Sequence, residues 1–262
     1  MASRPRPDRG RLHPVNLILL FDEDFNEHDD AARRACDAGE EFKVELRGRR
    51  LDHARDVLRA TPGRELLVGR LGGRVGRGVV VSIEPAKLVL RVRLDAEPPP
   101  KLPLTLLLSL PRPKTLRRVL QAVATMGVAR LVLLNSWRVE KSFWKSPALA
   151  PAALRAELLL GLEQGRDTVL PQVDTKRLLV PFARRELDPL AAGTRRLLAD
   201  PGATTPCPRA LAGPITLALG PEGGFIDREL DLFARHAFEP ITLGPRPLRV
   251  EQAVAALIGR IG

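Results

Sequence analysis

The sequence predicts an α/β protein: a largely parallel sheet covered by helices, preceded by a small β-barrel domain. Beyond residue 101, apolar strand-like runs alternate with helix-like segments, the order that builds parallel sheets. Before residue 97, short alternating strands dominate, which suits a compact barrel. The third observation is a pair of glycine-bearing loops, Leu219-Gly220-Pro221-Glu222-Gly223-Gly224-Phe225 and Leu243-Gly244-Pro245-Arg246-Pro247-Leu248-Arg249-Val250-Glu251. Each follows an apolar run and leads into a helix-like segment. Such loops can lie side by side at the strand ends of one sheet, where small ligands bind. Glycines there let backbone groups approach a ligand with no Cβ in the way.

Residues 1–14 read as a disordered basic lead-in. Residues 15–96 form the small domain. Its expected strands are 15–20, 42–46, 65–71, 78–83 and 87–94, the second showing clear period-2 alternation. A short helix is expected around 31–36. Another is expected over 50–59, where Leu51, Ala54, Val57 and Leu58 fall at helical spacing and Pro62-Gly63 closes the unit. Residues 97–101 are a proline-stiffened linker. The rest, 102–262, is the α/β domain. Strands are expected at 104–108, 130–134, 195–198, 215–219 and 240–243, with helices at 114–126, 152–164, 227–234 and 249–261. In the last helix Val250, Ala253, Val254, Leu257 and Ile261 make an apolar stripe.

The net charge of +11 and pI near 10.8 suit a polyanionic partner, nucleic acid first and anionic membrane second. Genomic base bias toward arginine, alanine and proline is the competing source of that charge. Cys36 and Cys207 are far apart, which argues against a disulfide framework and for a reducing compartment. His13, His28, His53 and His236 form no metal-ligand pattern, so no metal is expected. No apolar run reaches membrane-spanning length. The run 15–21 is too short, and too soon acidic, for a signal-peptide core. A soluble cytoplasmic protein is expected.

Four stretches in this order resemble the RsmE family of SPOUT methyltransferases. His53-Ala54-Arg55-Asp56-Val57-Leu58-Arg59 with Pro62-Gly63 looks like the signature of its N-terminal PUA-like barrel. Leu162-Glu163-Gln164-Gly165-Arg166 with Pro171 is similar to its central motif, and the two glycine loops look like its cofactor loops. The resemblance implies S-adenosylmethionine as cofactor and methylation of N3 of a uridine in 16S rRNA. It also implies a C-terminal trefoil knot, homodimers joined near the last helix, and the small ribosomal subunit or its rRNA as partner. The implied cofactor site comprises Leu198, Leu219, Gly220, Pro221, Glu222, Gly223, Gly224, Leu243, Gly244, Arg246, Leu248, Arg249 and Val250.

The chemistry narrows the catalytic candidates. N3 of uridine lies between two carbonyls, so its N–H is a weak acid and a poor nucleophile until the proton leaves. A sulfonium methyl is already activated, so catalysis reduces to alignment and to stabilising the uracil anion. Arg249 is the candidate for that charge, since a guanidinium stays cationic and offers several donors. Glu251 either orients Arg249 or accepts the proton, and Glu222 competes for both roles. The bland alternative for Arg249 and Glu251 is a surface pair at a helix start.

Arg50, His53, Arg55, Arg59, Arg138, Lys141 and Arg166 are the RNA-contact candidates, joined by Arg47 and Arg49. For His53 packing competes, and for the arginines a solvated face does. Trp137 and Trp144, flanked by Arg138, Lys141 and Lys145, either stack a base or pack in a core or interface. Glu163, Gln164 and Arg166 act in catalysis or in a helix-end network. The chain departs from the family pattern at Ala122, Thr125-Met126-Gly127, Pro247, Val250 and Gln252. Those departures keep two alternatives open: an inactive RNA-binding or ribosome-assembly protein, and a methyltransferase acting on another rRNA nucleotide.

Overall fold

The computed structural model describes residues 16–25 and 30–262. The expected lead-in at 1–14, Val15, His13 and His28 lie outside the described residues. The chain divides at Ala96 and Glu97 into two units, with Leu71–Gly73 grouped in the second.

In the first unit, β1 (Ile18–Leu20), α1 (Asp30–Ala38), β2 (Phe42–Leu46), α2 (Arg49–Asp52), β3 (Glu65–Arg70), β4 (Val75–Ile83) and β5 (Leu88–Ala96) follow in order. The strands make one sheet, ordered β1-β3-β4-β5-β2. β1 pairs parallel to β3, and the other ladders are antiparallel. Alternate residues point into the core, as Val44, Val68, Leu90 and Val92 do, and Phe25 stacks on Phe42 with centroids 5.4 Å apart. The helix expected over 50–59 is shorter. α2 ends at Asp52 and passes into a π-type turn, His53–Val57. That turn shifts the helical phase, so Leu51, Ala54 and Leu58 are buried while Val57 stands 62% exposed.

The second unit is the α/β domain. It runs β6 (Leu102–Ser109), α3 (Pro113–Thr125), β7 (Val128–Leu134), α4 (Pro151–Gly165), β8 (Gln172–Lys176), α5 (Leu179–Phe182), α6 (Asp188–Leu190), β9 (Arg195–Ala199), β10 (Ile215–Leu219), α7 (Asp227–Arg235), β11 (Glu239–Ile241) and α8 (Val250–Ile261). Every ladder in its sheet is parallel, in the order β11-β9-β10-β6-β7-β8. All five residues of β10 are buried, as expected of a strand covered on both faces.

On one face α3 packs against α4 and α8. Glycine makes the first contact close: a Cβ on Gly161 would sit 2.7 Å from the Ala124 Cβ, and one on Gly165 would sit 2.9 Å from the Thr125 Cα. Thr125 Oγ1 also donates to the Gly161 carbonyl at 3.0 Å. The central motif and the departure at Thr125 therefore meet in one helix–helix contact. The other face carries a cluster of Leu107, Val132, Leu198 and Ala218 beneath Phe182, Phe225, Phe233 and Phe238.

Candidate active site

β9, β10 and β11 point the same way, and the loops leaving their carboxyl ends wall one cleft. Its lining is residues 199–201, 219–222 with Gly224, 241–244, 246–248, and Val250, Ala253 and Leu257 of α8. This is the position that ligands favour in open α/β sheets.

Local chemistry shapes each loop. After β10 the chain doubles back at once: a Cβ on Gly220 would lie 3.0 Å from the Phe225 nitrogen. The Gly224 N–H donates to the Pro221 carbonyl at 2.8 Å, and Gly224 has φ +72°, a conformation natural to glycine. The Arg138 guanidinium donates to the Gly223 carbonyl. The side chain of Arg138 packs on Gly223 so closely that a Cβ there would come within 3.0 Å of its Cδ. After β11, Gly244 has φ +115°, and α8 then starts with Arg249 as its N-cap. The Arg249 N–H donates to Gln252 Oε1 at 3.1 Å, so Gln252 satisfies a helix-end donor.

The expected cofactor residues mostly converge. Leu219, Gly220, Pro221, Glu222, Gly224, Leu243, Gly244, Arg246, Leu248 and Val250 line the cleft. Gly223 does not: it is exposed and lies against the Arg138 side chain instead. Leu198 is a correction: it is 3% exposed and belongs to the aromatic cluster on the far side of the sheet. Its neighbour Ala199 lines the cleft instead, because successive strand side chains face opposite ways. Asp200 and Thr242 also line it. Their place after strand ends was the only signal in the sequence.

Arg249 lines an adjoining groove rather than the cleft. That groove shares Glu222, Pro247, Leu248 and Val250 with it, and adds Arg112, Lys114, Thr115, Arg118 and Glu251. Glu222 is exposed, and its Oε1 accepts the Arg112 N–H at 3.1 Å. Glu251 Oε1 meets Arg118 Nη1 at 3.0 Å. A hydrogen bond from its own backbone N–H holds the Glu251 carboxyl below the usual glutamate range, and Arg118 and Arg249 pull the same way against partial burial.

The other candidates separate by burial. Arg50 is withdrawn from the surface: it forms a bidentate pair with Asp24, one arm at 2.7 Å, and donates to the Leu19 carbonyl at 3.0 Å. The two side chains are only 12% and 4% exposed. Arg55 is exposed and paired with Asp52 and Asp56, and Arg47 with Glu45. Arg59, Lys141 and Arg166 are exposed, and His53 is half-buried. The two tryptophans differ. Trp144 is buried, with its indole N–H on Asn135 Oδ1 at 2.9 Å and Arg177 over its ring. Trp137 is 79% exposed, while its backbone N–H is held at 2.7 Å by Glu229, a buried carboxylate the sequence did not single out. Among the described residues no three His, Cys, Asp or Glu side chains cluster as a metal site, and no helix is long and apolar enough to cross a membrane.

A parallel α/β sheet with a ligand cleft at its carboxyl edge and a cationic groove beside it defines a class, and comparison with known sequences supplies the family. Residues 98–262 match the RNA methyltransferase domain, and the chain belongs to that family. It is similar to Ribosomal RNA small subunit methyltransferase E of Treponema pallidum, 28% identical over 224 residues, covering 81% of this chain and 82% of the relative. The protein of the same name from Mycobacterium tuberculosis is 29% identical over 223 residues, covering 80% and 82%. Among solved structures, Ribosomal RNA small subunit methyltransferase E from Neisseria gonorrhoeae bound to S-adenosyl methionine superposes with a TM-score of 0.66. It is 20% identical, over 93% of this chain and 94% of that one; the likeness is one of fold.

Proposed function

We propose that this chain transfers a methyl group from S-adenosylmethionine to N3 of a uridine in 16S rRNA. The carrying observation is the convergence of both glycine loops on one cleft, with Arg249 in a groove that shares a wall with it. The relatives named above supply the substrate class. The cleft suits the cofactor. A Cβ on Gly244 would meet nothing within 4 Å, so that loop leaves room where any other residue would fill it. Leu219, Leu248 and Leu257 add apolar wall, and Glu222 and Arg246 add charge.

Bound there, the cofactor supplies a methyl group on a positively charged sulfur. The rest is positioning by this chain. Arg249 stabilises the negative charge that develops on the uracil. Glu251, held ionised and braced by Arg118, orients Arg249 electrostatically. Glu251 is taken up by its ion pair with Arg118, so the proton-accepting role passes to Glu222 or to solvent. Gln252 completes the helix start normally, which favours a working loop over an inactive relic.

The same reading assigns 15–96 as a PUA-like RNA-binding barrel, 97–101 as a linker and 102–262 as a SPOUT domain with a C-terminal trefoil knot. Backbone bonds from Cys207 to Thr242 and from Ala210 to Arg260 support the knot, since the β9–β10 connection thereby grips both β11's end and α8's end. Arg55, Arg59, Lys141 and Arg166, with the exposed ring of Trp137, remain the RNA contacts. A cytoplasmic homodimer through α8 is part of the proposal. Ala255, Ala256 and Gly259 border one shallow surface where a second helix can come close.

Nucleoside mass spectrometry of 16S rRNA from wild-type and deletion strains, with add-back of Arg249→Ala, tests the reading. Loss of 3-methyluridine in the deletion, unrescued by the variant, is the expected result. An unchanged set of modified nucleosides would overturn it.

A further inference from the structure

The groove beside the cleft is more cationic than the chemistry of one uracil requires. Arg112, Lys114, Arg118 and Arg249 line it, against Glu222 and Glu251. Both carboxylates are already engaged, Glu222 by the Arg112 backbone N–H and Glu251 by Arg118. The side chains of Arg112, Lys114 and Arg249 make no ion pair within the described residues. The next residue round α3 shows the contrast: Arg117, outside the groove, pairs with Glu157 at 3.7 Å. Within the groove Arg118 is compensated by Glu251, while the charges of Arg112, Lys114 and Arg249 have no ion-pair partner among the described residues. Cations gathered in a concave surface raise the local concentration of anions.

Shape says which anion. The groove is open, is lined by the start of α3 and by the second loop, and shares Glu222, Pro247, Leu248 and Val250 with the cleft. The shared wall puts this groove directly beside the mouth of the cleft, within reach of the sugar and phosphates of a base presented there. Phosphate contacts of this kind fix register and orientation without reading sequence. Arg112 offers a planar fork of donors and Lys114 a mobile point charge, both suited to phosphate oxygens.

We propose that this groove is the seat of the target strand's backbone, with Arg112 and Lys114 binding the phosphates that flank the nucleotide to be modified. Arg118 is a positioning residue that braces Glu251 in the groove wall. The identity of the strand as substrate rests on the methyltransferase reading; the phosphate site itself does not.

The test is Arg112→Ala/Lys114→Ala in the full chain, with Lys114→Arg as the conservative control. Affinity for a fluorescein-labelled oligouridylate is read by anisotropy across a salt series, and S-adenosylmethionine affinity by calorimetry. Both side chains are exposed, so the melting temperature should not move. Expected are a loss of RNA affinity of about tenfold, and a salt dependence shallower by ~1.4 in slope for two lost single-strand contacts. Cofactor affinity should hold, and Lys114→Arg should retain RNA binding. Unchanged RNA affinity and slope overturn the proposal, as does a variant that loses cofactor affinity instead. If the wild type binds RNA but transfers no methyl, while the double variant loses RNA, the phosphate site stands and the methyltransferase reading falls.

Discussion

Arg118 and Glu251 join the second turn of α3 to the first turn of α8 through a 3.0 Å contact between Nη1 and Oε1. One partner is half exposed and the other is mostly covered. The contact fixes the start of α8, where Arg249 is the cap. Its pH behaviour follows from the direction of the Glu251 shift. A carboxyl whose folded value is lowered contributes stability that is fully present above its unfolded value, and loses it as pH falls through the folded one. Glu251 therefore stays ionised across the neutral range. Glu251→Gln should lower methyl transfer by loosening Arg249, yet leave the acid limb of the pH–rate profile in place. Loss of that limb would mean that Glu251 accepts the proton after all.

The Arg50–Asp24 pair gives a stability prediction in the first unit. Asp24 is nearly fully buried, and Arg50 is its bidentate partner. Removing one member leaves an uncompensated charge, at a cost of about 3–5 kcal/mol. Arg50→Ala should lower the denaturation midpoint strongly while RNA affinity at low temperature changes little. A stable variant with weakened RNA binding would restore Arg50 to the nucleic-acid surface.

Gly161 tests the helix contact behind the site. A Cβ there meets the Gln121 carbonyl oxygen and the Ala124 Cβ, neither of which is the end of a flexible side chain. Gly161→Ala should destabilise by about 1–3 kcal/mol through overpacking, despite the better helix propensity of alanine. A neutral or stabilising result in denaturant unfolding would mean that α4 shifts freely against α3.

The legible parts of the sequence were those where burial and period coincide. β10, expected at 215–219, is Ile215–Leu219, because a strand covered on both faces is a continuous apolar run. β8 was missed because Gln172–Lys176 is a partly exposed edge strand with one apolar residue. The α5–α6 region was missed because two prolines and a π-type turn interrupt its period. In the site, the loops announced themselves by glycine. Leu198 did not reveal which face it would take, since one residue along a strand reverses the side chain. Arg50 read as a surface arginine because its partner, Asp24, is 26 residues away in sequence. The groove face of α3 was hidden for the same reason, since Arg118 meets Glu251 across 133 residues.

Trp137 and Trp144 separate packing from recognition. Trp144→Ala should cost about 3–5 kcal/mol, as for a buried aromatic. Trp137→Ala should leave unfolding unchanged, because its anchoring contact to Glu229 is through the backbone N–H. It should weaken RNA binding by the ~1–3 kcal/mol of one stacked base. Equal RNA affinity in Trp137→Ala and wild type would remove the exposed indole from the interface.

Gly244 offers the sharpest test of the cleft. Its φ of +115° is a conformation that side chains avoid, so Gly244→Ala carries a backbone strain of roughly 1–3 kcal/mol. Its added methyl meets no protein atom within 4 Å, so the protein offers no clash of its own to that methyl. If the cofactor occupies the cleft, the methyl competes with it directly. Calorimetry should then show S-adenosylmethionine binding weakened by at least about tenfold, or about 1.4 kcal/mol, with oligouridylate affinity retained. Binding of S-adenosylmethionine at wild-type strength would place the cofactor away from the second loop, since neither strain nor the new methyl would then have reached it.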